Sequence, residues 1–141
     1  MKNIILMPIL FIIISCSKDN DDTTTTSAAF SMKINNVQWS TNTVTNMVEG
    51  KNGIINAVNS SAGEVFGVAI GDFKGVGDYP TSGGSTGTLT LYTRKDKKQF
   101  NASTEMKYTV TQVDGTKVHG TFSGTVKSSD GEVLTITEGK F

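Results

Sequence analysis

Two side chains set the limits on chemistry in this chain of 141 residues, because it holds one histidine and one cysteine. His119 alone cannot build a multi-histidine metal site, and Cys16 alone cannot form an internal disulfide. A serine triad would depend on His119. The alternation of residues 117–127 turns that ring outward with Thr121, Ser123 and Thr125, so it reads as a solvated surface histidine. A glycoside hydrolase would need two carboxylates across one cleft. Glu49, Asp72, Asp78, Glu105, Glu132 and Glu138 are scattered mainly through turns, and their spacing selects no pair. The expectation is a protein without catalytic residues, metal or cofactor.

The strongest candidate for binding is the glycine-rich stretch 71–80, GDFKGVGDYP, extended by residues 82–87. It lacks both the Lys-Ser/Thr ending of a phosphate-binding P-loop and the three-glycine dinucleotide fingerprint. Asp72 and Asp78 suit calcium or a sugar hydroxyl, with Phe73 and Tyr79 as stacking faces, and these four form the candidate ligand-binding loop. Charge adds little, since 13 basic side chains balance 13 acidic ones. Arg94, Lys95, Lys97 and Lys98 read as a solvated turn with no aromatic interleaving, so nucleic acid is not an expected partner. Trp39 reads as core.

The N-terminus is built differently from the rest. Of the first 16 residues, 12 are apolar: Lys2 precedes an apolar run over 4–14, and Ser15 stands immediately before Cys16. This is secretory-signal form, and the run falls short of the roughly 20 apolar residues a spanning helix needs. Ile13, Ile14, Ser15 and Cys16 resemble the bacterial lipobox. That resemblance implies cleavage between Ser15 and Cys16 and a diacylglycerol on the Cys16 thiol, so that residues 1–15 form the signal peptide and Cys16 the mature N-terminus. Acylation at more than one position anchors stably, where one chain binds only marginally. Residues 17–27, SKDNDDTTTTS, contain no apolar side chain and read as a flexible tether. Its 11 residues reach at most about 36–40 Å. The Asp19, Asp21 and Asp22 cluster resembles the acidic signal that directs Bacteroidota lipoproteins to the cell surface, and Asp22, Thr23, Thr24 resembles that phylum's O-glycan acceptor, with Thr23 modified. An EF-hand is excluded there, since its ligand spacing and central glycine are missing.

The elements that must position these residues are strands. Phe30, Met32 and Ile34 alternate with Ser31 and Lys33, Asn35 and Asn36 suit a tight hairpin turn, and Val37 and Trp39 resume the alternation. Further strands are predicted over 54–59, 65–70, 88–94, 99–103, 106–113, 117–127 and 133–137, with turn-rich breaks at 49–53 and 60–63. Gly120 and Gly124 fall on the inner face of their strand and predict close approach of another backbone or a strong bend. Twenty threonines, 15 glycines and two prolines fit a sheet with many turns. No window predicts a long amphipathic helix. Residues 28–141 therefore read as an all-β domain, an antiparallel β-sandwich of about nine strands, with an up-and-down barrel as the alternative.

Three segments of this domain resemble a domain of unknown function common in small Bacteroidota lipoproteins: Ile34 to Trp39 (INNVQW), Gly77, Asp78, Tyr79, and the tail from Asp114 to Phe141. The tail carries Val118, His119, Gly120, Thr121, Phe122, Ser123 and ends on Ile136, Thr137, Glu138, Gly139, Lys140, Phe141. The chain departs from that pattern at Gly124, where an aromatic or apolar residue is usual, and at Asn36, where the early turn usually has glycine. The resemblance implies an all-β exported lipoprotein and transfers no catalytic residue. The expected function is a lipid-anchored, non-catalytic binding or accessory module on the outer membrane, facing the exterior or alternatively the periplasm. Its ligand would be a glycan, a small molecule or an envelope protein. A structural or adhesive surface protein is the second class, and an enzyme with a carboxylate site the third.

Overall fold

The computed structural model describes residues 29–81, 87–102 and 106–141. The signal segment 1–15, Cys16, the tether with Thr23, and Glu105 lie outside the described residues. Within them the chain is all-β, with eleven strands where about nine are predicted. β1 (Phe30–Ile34) and β2 (Val37–Thr41) form the expected first hairpin. Asn35 and Asn36 between them lie at φ 48° and 67°, the doubly left-handed turn that matches the twist of flanking strands.

Two strands depart from the predicted set. β3 (Val44–Glu49) pairs with β4 (Asn52–Asn59), and its less exposed positions are Val44, Asn46 and Val48. The polar residue at the centre of that face hides the alternation from a hydrophobicity count. The other is β6 (Gly77–Pro80), inside the stretch read as a loop. Glycine at its first position and proline at its last leave no period-two signal, and it is a strand because it pairs with β9 (Met106–Asp114). The remaining strands are β5 (Glu64–Ile70), β7 (Thr88–Thr93), β8 (Gln99–Ala102), β10 (Lys117–Ser128) and β11 (Val133–Lys140).

All strand pairs are antiparallel, and the 12 residues of β10 organise them. One edge of β10 pairs with β11. The other pairs with β9 over residues 117–124 and then with β8 at Lys127 and Ser128. The sheet therefore branches at β10, where Gly124 adopts φ 144°. One half runs β2-β1-β11-β10-β9-β6 and the other β8-β7-β5-β4-β3. The halves enclose a common core, since Phe66 of β5 lies 5.6 Å from Phe30 of β1 and 5.3 Å from Phe122 of β10 between ring centroids. Tyr108 of β9 shares a buried hydroxyl–hydroxyl hydrogen bond of 2.6 Å with Thr90 of β7.

The nine-strand path β2-β1-β11-β10-β8-β7-β5-β4-β3 nearly closes on itself. β2 approaches β4 through a hydrogen bond from Thr41 Oγ1 to the Val58 carbonyl at 2.7 Å. β3 returns to the turn that opens β10 through a bond from the Val48 N–H to the Thr116 carbonyl, also 2.7 Å. There the Asn46 side chain takes the place of a strand ladder, accepting from the Val118 N–H at 3.0 Å and donating to the Val118 carbonyl at 2.5 Å. The sandwich thus has nearly sealed corners. Phe122 sits at the centre of the core, with Phe30, Phe66, Tyr108 and Phe141 around it at 5.2 to 6.1 Å.

Gly120 shows the predicted close approach. A Cβ there would lie 2.1 Å from the Thr109 carbonyl oxygen, and Gly120 exchanges two backbone hydrogen bonds with Phe141. A bulge in β11 places Glu138 at φ 53° and shifts the register against both neighbours.

Candidate functional site

The stretch 71–80 is held by contacts within itself and by partners on β9 and beside β4. Asp72 pairs with Lys74 at 2.9 Å, and Asp78 with Lys107 at 2.8 Å. Asp78 also accepts a hydrogen bond of 2.7 Å from Thr109 Oγ1. These contacts hold both carboxyls below the usual carboxylate range: Lys74 beside Asp72, and Lys107 followed by Thr109 beside Asp78. The two candidate stacking faces stack on each other, Phe73 and Tyr79 lying 5.5 Å apart and 16° from parallel. The Tyr79 hydroxyl accepts from the Lys74 N–H at 3.0 Å and donates to the Gly75 carbonyl at 2.6 Å, closing the turn. Phe73 is pinned below by its N–H to the Lys51 carbonyl at 2.7 Å. A cleft of about 250 Å³ remains between Asp72, Asp78 and Thr88. Asp78 and Tyr79 stand on β6, so the reading of all four residues as one loop is corrected.

The other sequence-selected residues separate widely. Trp39 is buried, edge-on to Phe30 at 5.8 Å, and donates from Nε1 to Glu64 Oε2 at 2.7 Å. Tyr92, close to the same carboxylate, has its hydroxyl pushed up first by burial and then by Glu64. Arg94 and Lys98 belong to a network rather than a free solvated turn. Arg94 contacts Asp96 and Glu132 at 2.8 Å, and Lys98 contacts Asp130 at 2.7 Å and Glu132 at 2.6 Å. Both cations flank the buried Phe100 ring, at 5.3 and 5.7 Å from its centroid. This network joins the β7–β8 turn to the β10–β11 turn. Among the described residues no three His, Cys, Asp or Glu side chains cluster as a metal would require.

Two surface features fall outside the sequence reading. On the outer side of one half-sheet, Met47, Ile54, Ala69 and Leu89 occupy one cross-strand row, with Leu91 beside it. Leu89 is 64% exposed and Leu91 40%, and a groove of about 440 Å³ follows this face past Gly67. The second feature is a cleft of about 560 Å³ where β3 meets β10 and the end of β11. Asn42, Val44, Asn46, Lys117, His119, Lys140 and Phe141 line it. His119 is exposed there. No local motif marks this cleft, since its lining runs from Ala29 to Phe141.

No family model matches the chain, and no curated protein or solved structure matches it either. The class of protein rests on the fold, an antiparallel β-sandwich with nearly closed corners, and the functional reading on the chain's own chemistry.

Proposed function

We propose that this protein is a lipid-anchored outer-membrane lipoprotein whose β-domain serves as a non-catalytic binding module presented on a tether. The observation that carries this reading is the order of segments: an apolar run over 4–14, Ser15 before Cys16, a wholly polar stretch over 17–27, and a first strand beginning at Phe30. Such an order separates membrane attachment from folding. The resemblance to small Bacteroidota lipoproteins, and the acidic Asp19, Asp21, Asp22 run after the cysteine, favour display toward the exterior. Radiolabelled palmitate is expected in the wild type and not in Cys16→Ala, and an unlabelled wild type would overturn the anchor. Asp72 and Asp78 are each engaged by a lysine, which gives the enzyme reading no support.

A second reading has one observation in its favour. The row of Met47, Ile54, Ala69 and Leu89, exposed except at the half-buried Ile54, suits an adhesive face that meets another protein, because contiguous apolar surface on a folded domain marks contact sites.

A further inference from the structure

We propose that the cleft at the seam between β3 and β10 binds a small oxyanion: the carboxylate, sulfate or phosphate group of an acidic ligand. The side-chain donors of Lys117, His119 and Lys140 are free among the described residues, while the Asn46 amide is spent in both directions on Val118. Asn42 Oδ1 already accepts from the Ala29 N–H at 2.9 Å, Asn46 Oδ1 from the Val118 N–H at 3.0 Å, and the Phe141 carbonyl from the Gly120 N–H at 3.0 Å. Lys117, His119 and Lys140 contribute donors with no side-chain partner among the described residues, and no Asp or Glu lines the cleft. Lys33, Lys74, Arg94, Lys98 and Lys107 each hold a carboxylate within 2.6 to 2.9 Å. Lys51, Lys95, Lys97 and Lys127 also stand without a carboxylate among the described residues, so what sets Lys117 and Lys140 apart is that they share one concavity with His119. Two ammonium groups at one concavity raise positive potential there, the imidazole adds a hydrogen-bonding group, and charge-assisted hydrogen bonds reward an anion that fills it. A volume of about 560 Å³ falls within the ordinary range for small-ligand sites, and Val44 and Phe141 offer the ligand's body apolar contact.

The carboxylate has two possible sources. One is a free acid. The other is the chain's own Asp19, Asp21 and Asp22, because Ala29 lines the cleft and the seven residues from Asp22 reach at most about 23–25 Å. The proposal deepens the binding-module reading by naming a ligand class and is independent of the lipid anchor, so this titration and palmitate labelling can fail separately.

The single histidine makes the test direct. The His119 ring signals of the full chain, held in a non-ionic detergent, are followed by NMR during titration with inorganic phosphate and with galacturonate at low salt. Saturable shifts are expected, weakened roughly tenfold in the double variant Lys117→Gln/Lys140→Gln, since two exposed charges together approach 1.4 kcal/mol. The amide spectrum checks that this variant keeps its fold. Absence of saturation, or equal affinity in the double variant, would overturn the site. In Asp19→Asn/Asp21→Asn/Asp22→Asn, tighter phosphate binding upholds the site with the chain's own acids as competitor. Unchanged saturable binding upholds it for an external ligand.

Discussion

Phe122 and Gly139 show how much a single position can require. The Phe122 ring covers Gly139 so closely that a Cβ there would lie 2.5 Å from ring carbons. The ring has no room to retreat, because Phe30, Phe66 and Tyr108 stand around it at 5.2 to 5.5 Å. Gly139→Ala is therefore expected to destabilise the domain by about 1–3 kcal/mol, the usual cost of overpacking a filled core, read as a lower urea midpoint at unchanged slope. At the same scale, the candidate ligand loop changes character. Asp72, Phe73, Asp78 and Tyr79 were legible as residue types suited to binding, but their partners were not: Lys107 and Thr109 reach Asp78 from β9, about 30 positions along the chain.

At the scale of elements, the ion network between the β7–β8 and β10–β11 turns carries a pH dependence of definite sign. Asp96 and Asp130 are held at about 2, below the ordinary value of 3.8, chiefly by Arg94 and Lys98 respectively. Glu132 is lowered by Lys98 and then Arg94. Carboxyls depressed in the folded state add stability above their unfolded value, and this contribution disappears as pH falls from about 4 through about 2. Glu132→Gln removes both of its contacts. It is expected to lower the urea midpoint slightly at pH 7, with the difference shrinking as pH falls through the acid range and in 1 M salt, as befits a largely exposed network. Strand legibility followed the pattern of side chains. β1, β2, β4, β5 and β10 announced themselves by alternation or apolar runs, whereas Asn46 disguised β3, and β6 exists through its partner β9.

For the whole molecule, the exposed face over β3, β4, β5 and β7 separates surface chemistry from stability. Leu89→Asp is expected to leave the unfolding free energy from urea titration within about 0.5 kcal/mol of wild type, since Leu89 is 64% exposed, while reducing fluorescence of an apolar dye bound to the groove. An unchanged dye signal would deny this face its apolar character. Sequence by itself determined the all-β class, the Asn35–Asn36 turn and the tight quarters at Gly120, because period-two alternation, left-handed turn residues and missing side chains are local signals. Tertiary structure alone decided how the strands assemble: β10 divides its edge between β9 and β8, Asn46 bridges the seam, and Asn42, Lys117, His119 and Lys140 meet at one cleft. Those outcomes depend on register between distant strands. Register follows from which side chains fill the common core, a property of the folded chain as a whole and of no single segment.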